Sequence, residues 1–311
     1  MRVQILGSSA GGGFPQWNCN CPNCAGWRSG RVRAQARTQS SICVQGDVQA
    51  HPQTKWVLVN ASPDVLAQIR ATPALHPRTG LRDSGIGAVI LCDGQIDHTT
   101  GLYMLRERTG PLPLWCTDPV YEDLTRGNPI LNVLGHYCGV DRHDVPIDGR
   151  HFSLPLVPGL DIEALSLSSQ AAPYSPHRGC TVPGDNVGLT FTCKTGGGKL
   201  FYAPGLGERT PEVDQAMRRA NCVLVDGTFW RDDEMQAMGL SQKTARDIGH
   251  LPQSGAGGMI EWLCSLPQST RKILIHINNT NPILDEDSPE RAELTRLGIE
   301  VACDGMEIQI Q

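Results

Sequence analysis

The stretch Leu91-Cys92-Asp93-Gly94-Gln95-Ile96-Asp97-His98-Thr99-Thr100-Gly101-Leu102 constrains this chain more than any other. It continues Ala88-Val89-Ile90-Leu91, an apolar, β-branched run of strand length that predicts a buried strand. Gly94 permits a turn, and Thr99-Thr100 open a helical-looking segment over residues 101–106. Asp97 and His98 therefore stand where a strand gives way to a helix. Catalytic and metal-binding groups collect at such places on α/β scaffolds. The same pair also fits an ordinary helix cap followed by a surface imidazole, and the pair alone does not separate the two readings.

Length and composition narrow the setting. The 311 residues are 40% hydrophobic, enough for one large or two small cored domains. A formal net charge of −5 gives no bulk attraction for nucleic acid or for a membrane surface. No apolar run approaches the roughly 18 residues of a membrane span. Met1-Arg2 leads directly into a strand-like Val3-Gln4-Ile5-Leu6 without a cleavable leader pattern. The twelve cysteines are scattered through strand-like segments, so reduced thiols and a soluble, cytoplasmic protein are expected.

Near the N-terminus, Gly7-Ser8-Ser9-Ala10-Gly11-Gly12-Gly13-Phe14-Pro15 is neither a Walker loop nor a clean dinucleotide fingerprint, and fits close backbone packing beside a site. Cys19-Asn20-Cys21-Pro22-Asn23-Cys24 follows. Three thiols at this spacing can converge on one tetrahedral ion, with Pro22 stiffening the knuckle, and a structural zinc at Cys19, Cys21 and Cys24 is expected. Its fourth ligand must come from elsewhere. Arg28, Arg31, Arg33 and Arg37 then read either as a solvated face or as a pocket wall for an anionic ligand.

The last third of the chain supplies partners for Asp97 and His98. Cys222-Val223-Leu224-Val225-Asp226 is an apolar strand ending in an acid, and Lys272-Ile273-Leu274-Ile275-His276 is another ending in an imidazole. A buried Asp or His without a partner is costly, so both mark strand ends that face a site. His250 precedes a helical segment at 257–264 and reads as an acid or base near the site, or as part of a capping loop. His136, His143 and His151 read as ordinary surface or packed histidines, and residues 126–160 as irregular. Further strands are expected at 41–44, 56–60, 112–116, 161–167, 187–192, 199–202, 299–303 and 306–310. Alternating strand and helix signals, with no repeats and no linker, predict a single layered α/β domain over 1–311.

The Asp93–His98 stretch resembles the His-x-His-x-Asp-His signature of the metallo-β-lactamase superfamily, with Asp93 and Gln95 where the first two histidines stand. Ser168-Ser169-Gln170 occupies the place of a third. Gly-Ser-Ser-Ala-Gly-Gly-Gly-Phe-Pro-Gln-Trp-Asn-Cys-Asn-Cys, Ala-Arg-Thr-Gln-Ser-Ser-Ile, Gln-Ile-Asp-His-Thr-Thr-Gly-Leu, Leu-Phe-Tyr-Ala-Pro-Gly-Leu, Leu-Val-Asp-Gly-Thr and His-Ile-Asn-Asn-Thr-Asn-Pro-Ile-Leu-Asp narrow the match. Within the superfamily they are similar to the coenzyme PQQ synthesis protein B family, over essentially the whole chain.

This resemblance implies an αββα four-layer sandwich and a role in pyrroloquinoline quinone (PQQ) biosynthesis. It implies iron-dependent hydroxylation of the tyrosine ring of a cross-linked Glu-Tyr intermediate, a small polycarboxylate. A carrier that moves the cofactor or its precursor towards the periplasm, and a mononuclear metallohydrolase, are the alternatives. One metal position is implied at Asp97, His98, Asp226 and His276, with Asp93 as a further candidate and His250 as proton donor. Fe(II) is the expected ion there, since two imidazoles and two carboxylates resemble the donor sets of two-His-one-carboxylate oxygenases. Asn279 holds the place where related phosphodiesterases complete the zinc knuckle with a His. Arg37 and Arg178 are the first candidates to receive substrate carboxylates. Other PQQ-pathway proteins are expected partners, and a homodimer is left open.

Overall fold

The computed structural model describes residues 1–46 and 54–311. Its strands form two seven-stranded mixed sheets. The first contains β1 (Arg2–Gly7), β2 (Ser41–Gln45), β3 (Trp56–Val59), β4 (Ile86–Ile90), β5 (Leu112–Cys116) and β6 (Val140–Asp144). The second contains β7 (Phe152–Leu154), β8 (Val157–Ser166), β9 (Val187–Cys193), β10 (Lys199–Ala203), β11 (Cys222–Asp226), β12 (Arg271–Ile275) and β13 (Ile299–Val301). The last strand, β14 (Glu307–Gln309), returns to the first sheet and pairs antiparallel with β1, Val3 opposite Ile308.

Each sheet is antiparallel in one half and parallel in the other. Strands β3 to β6 run parallel, as do β10 to β13. Alternate residues of both sheets meet in one buried core, with Val57, Val59 and Ile90 from one side and Phe191, Tyr202, Leu224 and Ile275 from the other. The opposite face of each sheet is covered by helices. Leu58, Val89 and Leu114 pack under Val65, Val120 and Leu134, while Val223, Val225 and Leu274 pack under Val213, Met217 and Trp262. Burial on both faces is why these strands read as continuous apolar runs rather than alternating ones. The result is the expected four-layer αββα sandwich.

The stretch expected to be irregular, 126–160, is more ordered than its sequence suggests. It holds a short helix Ile130–Leu134, β6, β7 and the start of β8. Strand β6 reads Val-Asp-Arg-His-Asp at a sheet edge, with no apolar run to announce it. The helices Pro22–Arg28, Pro211–Arg219 and Glu234–Ala237 also escape the sequence reading. No helix among the described residues is long and apolar enough to cross a membrane.

Topology places the site. The parallel strands β4, β10, β11 and β12 all end on the same rim, and the end of β1 joins them. Ala10 donates from its backbone to Ile277 at 2.9 Å and Ile277 to Ser8 at 3.0 Å, which ties the rims of the two sheets together.

Candidate metal centre

After β4 the chain turns through Asp93 and Gly94 into the one-turn helix Ile96–Thr99, which carries Asp97 and His98. Close packing holds this helix in place. Ala61 donates to the His98 carbonyl at 2.7 Å, and Gly101 lies so near residues 61–62 that a Cβ there would stand 2.1 Å from the Ser62 carbonyl oxygen. From the second sheet, β11 delivers Asp226 and Thr228, and β12 delivers His276. His276 adopts a left-handed backbone with φ 62°. Such a conformation is uncommon for a residue with a Cβ, and it turns the imidazole off the strand end into the rim.

The hydrogen bonds orient both imidazoles. His98 Nδ1 lies 2.9 Å from both carboxylate oxygens of Asp93, so it carries the proton and donates. Its Nε2 is buried and has no hydrogen-bond partner. The Thr228 hydroxyl gives its one proton to Asp226 Oδ1 at 2.6 Å and therefore accepts from His276 Nδ1 at 2.9 Å. His276 Nε2 then makes a hydrogen bond to Asp97 Oδ2, a contact that an ion between the two would replace. Both Nε2 atoms face Asp97 Oδ2, at 3.8 Å from His98 and 3.2 Å from His276. Two imidazole nitrogens and a carboxylate oxygen thus converge, and Asp97, His98 and His276 could hold one metal ion. An orphaned, buried imidazole nitrogen costs free energy unless a cation takes it up, so the residues fit a bound metal.

Electrostatics point the same way. Burial disfavours a charged imidazole at His98, but Asp93 and Asp97 outweigh it and carry the pKa up to about 9. At Asp97 burial is likewise overcome, here by His98 and His276, and the carboxyl is held well below its usual range. The field that favours a proton here favours a metal cation as well.

Beside this triad lies a second group. Asp226 is fully buried and accepts from Leu206 N, Thr228 N and the Thr228 hydroxyl, while its Oδ2 lies 2.6 Å from His250 Nδ1. Burial opposes charge on both partners, yet their mutual attraction lowers the Asp226 pKa and raises that of His250. Asp226, His250 and His276 form a second set that could hold an ion. Asp93, Asp97, His98, His250 and His276 line one cavity of about 260 Å3, together with Gln95, Ser169, Asn186, Phe229 and Met235.

The structure separates the remaining candidates. Asp93 stands behind the His98 ring with both oxygens turned to Nδ1, where it orients the ligand. Arg37 is buried, its guanidinium directed at the carbonyls of Gln35 and Ala302, and it does not line the cavity. Arg178 is exposed and donates to the Ala171 carbonyl, also outside the cavity. Arg33 pairs with Glu286 and Asp287 at the surface, and Arg28 caps the carbonyls of Gln16 and Cys19. Thr228, which orients His276, escapes a reading of the sequence because a threonine after a strand is unremarkable there.

The cysteines do converge. Cys19, Cys21 and Cys24 bring their sulfurs together in a group that could hold a metal, and Asn279 Nδ2 lies 3.0, 3.6 and 3.5 Å from them. Burial and the neighbouring thiols push Cys21 up to about 12, since crowded thiolates repel one another without a cation between them.

Residues 55–277 match the model of the beta-lactamase superfamily domain. The chain is 62% identical over 310 residues to coenzyme PQQ synthesis protein B of Azoarcus sp. (strain BH72), with 100% of each chain covered. It belongs to the coenzyme PQQ synthesis protein B family. A member from Methylobacillus flagellatus (strain ATCC 51484 / DSM 6875 / VKM B-1610 / KT) is 59% identical over 309 residues, covering 99% of both chains. The crystal structure of Zn(2+)-bound PqqB from Methylobacterium extorquens superposes with a TM-score of 0.88 at 36% identity, over 99% of this chain and 100% of that one. A diphosphatase of the PhnP family, at 18% identity and a TM-score of 0.67, shares the fold over 100% of this chain and 98% of its own. Membership of the family carries a general role in PQQ biosynthesis.

Proposed function

We propose that this chain is an iron-dependent hydroxylase of PQQ biosynthesis, acting on the tyrosine ring of the cross-linked Glu-Tyr intermediate. The observation that carries the reading is the convergence of His98 Nε2, His276 Nε2 and Asp97 Oδ2, two imidazoles and one carboxylate. That donor set with open positions suits non-haem Fe(II) and dioxygen chemistry, which the ion supplies when bound. The Zn(2+)-bound relative supports a divalent ion in this fold.

The residues of this chain do the rest. Asp93 and Thr228 fix the two imidazoles with their Nε2 atoms turned inward. Asp226 stands beside them and holds His250 at 2.6 Å, so that His250 can keep or release a proton at the cavity wall. Phe229 and Met235 line the cavity and limit water. The cysteine knuckle takes a structural zinc. Asn279 completes it through its amide oxygen, since the nitrogen and oxygen of that amide exchange by a half-turn.

Anaerobic loading with Fe(II), followed by oxygen and the bicyclic pathway intermediate, tests the proposal. A hydroxylated ring is expected. Intermediate that binds but returns unchanged from the iron-loaded chain would overturn it in favour of a carrier, and turnover with zinc alone would favour a hydrolase.

A further inference from the structure

The metal cavity is small for a substrate of this kind. Its volume of about 260 Å3 lies below the roughly 300–1,000 Å3 of small-molecule sites. A second cleft of about 640 Å3 adjoins it. Ser169 lines both spaces, and Gly249 of the larger cleft immediately precedes His250 of the smaller. A molecule longer than the metal cavity can therefore extend past Ser169 into this cleft.

The charges on the cleft wall are few and specific. Arg246 and Glu208 both line it, together with the hydroxyl-bearing Ser168, Ser169 and Thr181. Among the described residues neither charge has an ion-pair partner, and the two do not reach each other within 4.0 Å. Their neighbours are engaged elsewhere, Arg209 with Asp214 and Arg231 with Asp233. The backbone beneath Arg246 is fixed, since its N–H donates to Asp232 Oδ1 at 3.1 Å and Gly249 closes the turn with φ 88°. Both side chains are exposed, and a guanidinium and a carboxylate standing apart on one wall match a ligand group that carries both opposite charges.

We infer that this cleft is a subsite for the α-amino-acid end of a ligand, whose carboxylate Arg246 receives and whose ammonium Glu208 receives, while the far end of the ligand reaches the metal cavity past Ser169. Arg246 takes the part that the sequence suggests for Arg37 and Arg178, both of which are committed elsewhere. A guanidinium suits this task because it binds a carboxylate through two parallel hydrogen bonds. The inference rests on the proposed function for what enters the metal cavity, and on the cleft alone for the recognition of a zwitterion.

The test compares L-tyrosine, tyramine and N-acetyl-L-tyrosine by calorimetry on the full-length, metal-loaded chain. Tyramine lacks the carboxylate and N-acetyl-L-tyrosine lacks the ammonium. L-tyrosine should bind most tightly. Arg246→Ala should weaken it on the order of 10–100-fold, the scale of one lost charge-assisted hydrogen bond, and leave tyramine unchanged. Arg246→Lys should recover part of the loss. Glu208→Gln should weaken L-tyrosine and leave N-acetyl-L-tyrosine unchanged. A native chain that fails to prefer L-tyrosine over both analogues, or an Arg246→Ala chain that keeps the preference, overturns the assignment. Metal content is read on the same samples. A chain that holds no iron sinks the hydroxylase reading, while the three ligands still judge the cleft.

Discussion

At the residue scale the decisive atom is His98 Nε2, whose lone pair faces inward because Asp93 takes the proton on Nδ1. Asp93→Asn keeps the shape and removes the charge. It should weaken metal binding on the order of 10–100-fold, the usual cost of losing a group that orients a ligand, whereas His98→Ala should abolish binding at that position. Titration with Fe(II) under anaerobic conditions checks both. Asp123 offers a second, independent prediction. It is fully buried beneath the Asp93–Gly94 turn, neither carboxylate oxygen has a partner, and burial raises its pKa to about 6. The folded chain therefore binds this proton more tightly than the unfolded chain does. Stability from this group is full below the ordinary value near 3.8 and is lost as pH rises through about 6. Asp123→Asn should accordingly raise stability at pH 7 by roughly 1–3 kcal/mol and change little at pH 4, as read by urea unfolding at the two values. Asp97, His98, Asp226 and His276 are legible in the sequence because each ends an apolar strand or starts the turn after one. Arg246 and Thr228 are not, because only the fold shows what an arginine in a loop or a threonine past a strand faces.

At the scale of elements, the knuckle joins the helix Pro22–Arg28 to the loop after β12. Asn23 Nδ2 donates to the carbonyls of Asn279 and Asn281 at 3.1 and 2.8 Å, and the three sulfurs close around Asn279. Cys21→Ser should release one zinc per chain while the iron position still loads, and Asn279→His should retain zinc against a chelator for longer than the native chain. Metal analysis after dialysis distinguishes these outcomes, and a Cys21→Ser chain that keeps its zinc would refute the knuckle. The spacing of the cysteines makes the knuckle readable, yet the helix that follows Pro22 is hidden behind it. The helix Pro211–Arg219 carries its own signals, a Thr210 side chain that accepts from Val213 N, proline in the first turn and buried Val213 and Met217. Strand β6 carries none, since at the edge of its sheet it is polar after Val140 and is specified by its pairing with β5.

At the scale of the molecule, the metal centre spans the two sheets. Asp97 and His98 follow β4 of the first, while Asp226 and His276 end β11 and β12 of the second. Between the sheets lies an apolar core, and beyond it the Ala10–Ile277 backbone pairing ties the two rims on which the polar groups stand. An ion held from both sides would therefore join the sheets where the core ends. Because it binds the folded chain and not the unfolded one, it should add about 2.7 kcal/mol when free metal is a hundredfold above its dissociation constant. For a chain of this size that corresponds to a rise of roughly 4 °C in the unfolding midpoint. The gain should vanish in His98→Ala and in His276→Ala alike, although the two residues belong to different sheets, and should survive in Arg246→Ala. Calorimetric scans of the four chains, each with and without Fe(II) under anaerobic conditions, supply the measurement. If His276→Ala kept the full gain, the ion would belong to the first sheet alone, and the joining of the two rims would have to come from the Ala10–Ile277 backbone pairing instead.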